Sequence, residues 1–366
     1  MGPPAPRPVA LTDREPARQT GRPKESKVVT QLETPPGRTR PGSLVKQSGL
    51  KRFGDPLFRG IALSAGISVL IILGLMIGLT TRDAWPAFQY QGVVQFFVSD
   101  EWRAGFSVID DEFTGEYGAF AFIYGTLITS AIAVVIALPF ALAISLYITR
   151  VAPRRLRNVL AYAVELLAAI PSVVYGLWGL LYFAPRVIRP VMEALTSLEP
   201  VPIIGRLFAG PVFTTSYFTA GVVLAIMILP IITAITREVM AQTPREQIEA
   251  AYGMGATDLE VIRKIVLRVS FPGIVGGTML GLGRAIGETI AVAMLVGGAQ
   301  RWAVSLFFGG GSLAGHIANT FQDAAPETLT ALIAVGVVLF VITIIVNVLA
   351  RILVWRIGRI AGDASL

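Results

Sequence analysis

The sequence predicts an all-α polytopic membrane protein with six transmembrane helices. Three observations predict it. Hydrophobic residues make up 54% of the chain and charged residues 15%, against about 25% charged in a soluble domain, and the mean hydropathy is +0.66. Six apolar stretches are each long enough to cross a hydrocarbon core of about 30 Å as a helix. Lys and Arg alternate between the loops that join them. No long apolar/polar alternation of the kind a membrane barrel needs is present.

Residues 1–55 are a separate regime. They are rich in Pro, Arg, Lys, Thr and Glu, and such a segment cannot bury enough apolar surface to fold. It is too long and polar for a secretory signal. A disordered basic cytoplasmic tail is expected, with contact to anionic lipid as a second reading. The first span and its loop follow over 56–118, a core over 119–356 and a short tail over 357–366. The spans are expected at 60–79, 119–148, 158–183, 217–235, 273–298 and 328–350.

Charge orients them. The segment before the first span holds twelve of the 31 Lys and Arg. The loop 80–118 holds two against seven acids, and the loop 149–157 four arginines and no acid. Loop 236–272 has five basic residues, loop 299–327 has one, and the end of the chain carries Arg351, Arg356 and Arg359. By the positive-inside rule both termini are cytoplasmic and 80–118, 184–216 and 299–327 face outward. The basic residues therefore report topology, and no nucleic-acid partner is implied. The chain has no cysteine and one histidine. Thiol chemistry and a histidine-based metal site are excluded, and His316 is expected at the surface of an outward loop.

Pro139, Pro171 and Pro230 fall inside the second, third and fourth spans. Their freed carbonyls need partners from neighbouring helices or water, so kinked spans packed in a bundle, or kinks that widen a central path, are both expected. In the fifth span, Gly277, Gly281, Arg284 and Glu288 fall on one helical stripe. The small residues permit close helix approach. Arg284 and Glu288 are the only charges in 273–298. Arg284 stands about 16 Å along that stretch, near the midplane, and at four residues' spacing it shares a face with Glu288. A charge at that depth costs at least about 2.5–3.5 kcal/mol to insert. Three readings compete: an anion contact in transit, a buried structural ion pair, or a gate that changes partner. Glu165, near the cytoplasmic end of the third span, is a secondary candidate with an interfacial, structural reading.

The loop between the fourth and fifth spans reads as two short helices. Thr243, Pro244 and Glu246 suit an N-cap, first position and capping box, and Thr257 with Glu260 makes a second box. Gly255 is the expected stop between them. Such a knob suits insertion into a partner's cleft, although an ordinary helical connector would look the same.

Here the residues become specific. Glu249-Ala250-Ala251, then Gly255, then Ile265-Val266-Leu267 resembles the EAA loop of ABC importer permeases. Arg268 stands where that motif has proline, and a proline follows at Pro272. Glu165-Leu-Leu-Ala-Ala-Ile-Pro-Ser-Val-Val-Tyr-Gly-Leu-Trp-Gly and Gly281-Leu-Gly-Arg-Ala-Ile-Gly-Glu-Thr-Ile-Ala-Val are similar to the PstC-type permeases of phosphate-specific ABC importers. The resemblance runs from about Phe96 to the C-terminus. It implies a type I ABC importer permease fold, with the EAA loop at 237–272, in the inner membrane. It implies import of inorganic phosphate by alternating access, and partners: a PstA-type sister permease, PstB-type ATPase subunits and a PstS-type extracytoplasmic phosphate-binding protein. Residues 243–255 would dock on the ATPase. The chain has no Walker-type glycine loop. It is therefore expected to be no enzyme and to bind no cofactor, with ATP used by the partner. Permeases for sulfate or molybdate, an ion-coupled secondary transporter and a non-conducting regulatory scaffold are the alternatives.

Overall fold

The computed structural model describes the backbone of residues 49–103, 115–202 and 204–363, with side chains over the parts of these lying between 57 and 352. The tail expected at 1–55 lies outside the described residues up to position 48, and 49–55 already belong to a helix. The chain divides into two units, Met1–Ala65 and Gly66–Leu366. The described part of the first is the opening of helix α1 (Gly49–Gln91).

In the second unit, the end of α1 leads through Gly92 into α2 (Val93–Val98). A two-residue antiparallel ribbon follows, β1 (Trp102–Arg103) against β2 (Glu116–Tyr117), with Trp102 opposite Tyr117. Helix α3 (Phe120–Leu146) runs on through a π-turn at Tyr147–Val151. Then come α4 (Arg154–Ala168) and α5 (Ser172–Trp178), which passes through a π-helical segment at Gly179–Ile188 into α6 (Arg189–Leu195). Helix α7 (Tyr217–Ala241) opens on Ser216, whose hydroxyl accepts from Thr219 N at 3.3 Å. The helices α8 (Arg245–Gly253) and α9 (Asp258–Glu260) precede α10 (Leu267–Gly287), reached through a π-turn at Val261–Val266. The chain closes with α11 (Ile290–Leu295), α12 (Leu313–Thr320) and α13 (Pro326–Asp363), so the expected tail at 357–366 begins as helix.

Among the described residues, five helices are long and apolar enough to cross a membrane, and the bent pair Arg154–Ala168 with Ser172–Leu198 makes a sixth crossing if taken as one span. The kink expected at Pro171 in the span 158–183 is a full break: the chain turns by 87° at Ala169–Pro171. Proline has no N–H to donate and drives the residue before it out of the helical region, so Pro171 ends α4 and starts α5. Pro139 and Pro230 stay inside continuous helices.

Small residues let the spans approach. Ala133, Ala137 and Ala141 of α3 are buried at four-residue spacing against α7, and Gly221 of α7 faces Ile132 and Thr129. Helix α10 lies antiparallel on α7: Gly273 meets Val239, Gly277 meets Ile235 and Gly281 meets Ile232. A side chain at each would push the helices apart. A core of Val223, Leu224, Ile228, Ile232, Ala285, Val292 and Leu295 forms around α7. A second gathers Phe88, Phe96, Trp102, Tyr117, Phe122, Leu332 and Val335.

Candidate substrate pathway and partner-facing loop

The fifth span is not one helix. α10 ends at Gly287, Glu288 has extended backbone (φ −69°, ψ 125°), and α11 begins at Ile290. The expectation that Arg284 and Glu288 share one helical face is corrected: Glu288 has left the helix. Its carboxylate instead accepts from Ala291 N at 3.4 Å, supporting the start of α11. No ion pair joins Arg284 to Glu288 among the described residues. The glycine stripe also turns out differently. Gly277 and Gly281 are buried against α7, but Ala285 continues that face, while Arg284 is exposed beside Leu280 and Gly287. Three and four residues along a helix are both neighbours, so either could extend the stripe; the apolar residue took the buried place.

Gly281 faces Ile232 and Ile228, close to the middle of α7. Arg284 is one turn further, or about 5 Å. It lies close enough to Tyr175 of α5 to interact electrostatically. Tyr175 is buried and its hydroxyl donates to Leu167 O at 2.9 Å, tying α5 back to α4 across the Pro171 break. Gly176 of α5 packs against Ala291 and Met294 of α11. The two broken spans thus meet each other next to Arg284. Irregular backbone at membrane depth is tolerated only where protein buries it or a watery cavity solvates it.

Glu165 of α4 pairs with Arg237 of α7 at 2.9 Å, both partly exposed. The pair holds α4 against the end of α7, so its structural reading matches the geometry. In the following loop, one capping box forms and one does not. Thr257 N donates to Glu260 Oε2 at 3.1 Å and Glu260 N to Thr257 Oγ1 at 3.4 Å. The Glu260 carboxyl is pushed down to about 2, chiefly by its hydrogen bond with Lys264 and then by those from Thr257. The box expected at Thr243 is corrected: Thr243 is buried and its hydroxyl donates backward to Met240 O at 2.9 Å. Helix α8 starts after Pro244 without a side-chain cap. Gly255 takes φ +85° with open space around its Cα, as a helix stop requires. Glu249 and Ala250 are exposed. Ala251 is buried in one core with Met240, Val261, Val266 and Ile274, and α8 packs chiefly on the Val261–Val266 turn. Arg268 continues the helix into α10, with Pro272 inside it.

The sequence missed two features. Tyr252, Met254 and Leu259 project from the loop, Met254 at 83% exposure. Their spacing follows no helical period because they straddle the Gly255 turn. His316 is not on the surface. It is buried, stacked on Phe122 at 3.9 Å and edge-on to Trp102 at 4.5 Å. Burial holds its imidazole at about 4. The signal was Gly309-Gly310-Gly311, which fit tightly against Tyr217, Phe122 and Gly125 and carry α12 inward, where Leu313 N donates to Thr126 Oγ1 at 2.9 Å.

A multi-pass helical bundle, with broken spans meeting at an arginine and a packed loop-borne helix on its end, is the architecture of a membrane permease. Residues 137–359 match the family described as binding-protein-dependent transport system inner membrane component, and the chain belongs to that family. It is 40% identical over 321 residues to the phosphate transport system permease protein PstC of Mesorhizobium japonicum, covering 87% of this chain and 95% of that one. It is 39% identical to PstC 2 of Mycobacterium tuberculosis, covering 86% and 95%. The bacterial alginate ABC transporter, solved in complex with alginate pentasaccharide-bound periplasmic protein, contains a chain with the same fold: TM-score 0.54 at 19% identity, covering 85% of this chain and 97% of that one. The chain is thus a multi-pass inner-membrane transport component with an ABC importer permease fold, and no enzyme.

Proposed function

We propose that this chain is the permease subunit of an ATP-driven importer of inorganic phosphate, working by alternating access. The observation that carries the reading is Arg284, an exposed guanidinium at the middle depth of α7, beside two broken spans, in a chain whose relatives are named phosphate transport permeases. Arginine offers a planar fork that matches an oxyanion bidentately. The backbone break at Glu288 lets α10 and α11 shift relative to each other. Glu288 stands at the break itself, its carboxylate accepting from Ala291 N at the start of α11.

The same reading assigns the loop. Glu249, Ala250, Ala251 and Gly255 form the element that docks on a PstB-type ATPase, with Tyr252, Met254 and Leu259 as its apolar contact surface. Ala251 shares a core with Ile274 of α10 and Met240 of α7, so a push on α8 reaches the helix that carries Arg284. A PstA-type sister permease completes the pathway, a PstS-type binding protein delivers phosphate from outside, and both termini lie in the cytoplasm. The chain itself holds no cofactor.

Uptake of labelled phosphate into vesicles containing all four components tests the substrate. ATP-dependent uptake that unlabelled phosphate competes away, and excess sulfate does not, is expected. Competition by sulfate would move the assignment to another oxyanion. Uptake with the ATPase left out would point to an ion-coupled carrier.

A further inference from the structure

A second charged site lies away from Arg284. A cavity of about 490 Å³ opens between the end of α3, α4, the end of α7 and the start of α8. Its lining carries Arg150, Arg157, Arg237 and Arg245 against Glu165 and Glu238. We infer that this cavity binds a phosphate-type oxyanion, free or as a phospholipid headgroup, and that the bound anion ties α8 to the bundle.

The charges leave room for such a ligand. Glu165 is taken by Arg237 at 2.9 Å, and Arg157 donates to Thr149 O at 3.0 Å. Arg150 and Arg245 make no ion pair among the described residues. The lining is thus doubly positive, with two guanidinium groups uncommitted and a third that can reorient. Arginine is the side chain suited to phosphate oxygens, which it meets through two parallel N–H donors. The position matters as much as the charge. Arg150 lies in the π-turn that follows α3 and is close enough to Tyr252 of α8 to interact electrostatically, while Arg245 opens α8 itself. An anion held by both would link the partner-facing helix to α3 and so stiffen it. The wall formed by α4 also suits a lipid source: Arg154, Arg155 and Arg157 precede exposed Val159, Tyr162 and Leu166 on one short helix, the pattern of a helix lying at a membrane surface. The inference rests on the proposed topology for placing this cavity on the cytoplasmic side, but not on Arg284.

The test uses the complete transporter in nanodiscs of phosphatidylcholine, with or without phosphatidylglycerol. Inorganic phosphate binding is followed by calorimetry in the lipid-neutral discs, and retained phosphatidylglycerol by native mass spectrometry. Arg150→Gln with Arg245→Gln is the diagnostic variant, Arg263→Gln the charge control and Arg284→Gln the separate test of the pathway. Losing two charge-assisted contacts should weaken phosphate binding at least about tenfold, or remove one retained phosphatidylglycerol, in the double variant alone. Loss of the phosphate response alone assigns the site to the free anion, and loss of the lipid alone assigns it to the headgroup. The proposal is overturned if the double variant matches the wild type in both readouts, or if only Arg284→Gln abolishes binding.

Discussion

His316 shows how burial converts an ordinary residue into a conditional one. Between Phe122 and Trp102 it has no room for hydration, so its imidazole stays neutral down to about 4, where an unfolded histidine begins to protonate near 6.5. Between those values the unfolded chain binds more protons, so stability is complete above about 6.5 and falls as pH drops towards 4. The contribution is on the order of 3 kcal/mol by linkage. His316→Phe should therefore flatten the dependence of the thermal midpoint on pH across this window, and an unchanged slope would show that another group sets it. The glycine run before α12 was the one cue in the sequence: a lone polar residue in a loop reads as exposed, and its burial depends on long-range packing. Arg284 and Glu288 were legible as charges out of place. Their relation was not, because nothing in Gly-Arg-Ala-Ile-Gly-Glu-Thr says that the helix stops before the glutamate.

At the scale of elements, the sequence was read best where a local rule decides the outcome. Gly255 stops a helix because its φ of +85° is open to glycine at no steric cost. The box at Thr257 and Glu260 forms beside a second bond, Glu260 meeting Thr257 through Oε2 and Lys264 through Oε1. Thr243 does not cap because its hydroxyl donates to Met240 O instead. Substitution at Gly255 has open space around it, so Gly255→Asp should leave the bundle folded, costing about 1–2 kcal/mol locally, yet add a charge at the proposed ATPase contact. Transporter carrying it should hydrolyse ATP without importing phosphate. Retained coupling would remove the docking assignment. The glycine stripe makes a different prediction. A Cβ at Gly281 would come within 2.8 Å of Ile232, so Gly281→Leu must separate α10 from α7. Overpacking of this kind costs roughly 1–3 kcal/mol, measurable as a lower thermal midpoint in detergent. An unchanged midpoint would mean that these helices do not pack as described.

For the whole molecule, hydropathy picks out six apolar stretches because it registers composition over about twenty residues, which a short break barely changes; among the described residues five helices are long and apolar enough to cross, or six if the bent pair is one span. The breaks at Ala169–Pro171 and at Glu288 are invisible at that resolution, and they are what bring α5, α11 and Arg284 together. The packed loop supplies the other half of the device: Ala251 shares a core with Met240 of α7 and with Ile274 of α10, the helix that carries Arg284. In the proposed mechanism α10 carries an anion contact at one end and the partner's stroke at the other. Phosphate uptake and ATP hydrolysis measured together in reconstituted vesicles, comparing wild type with Arg284→Gln, test it most directly. In the variant, import should fall at least about tenfold, as loss of a charge-assisted contact implies, while the complex still assembles and hydrolyses ATP. Phosphate import at the wild-type rate would contradict it.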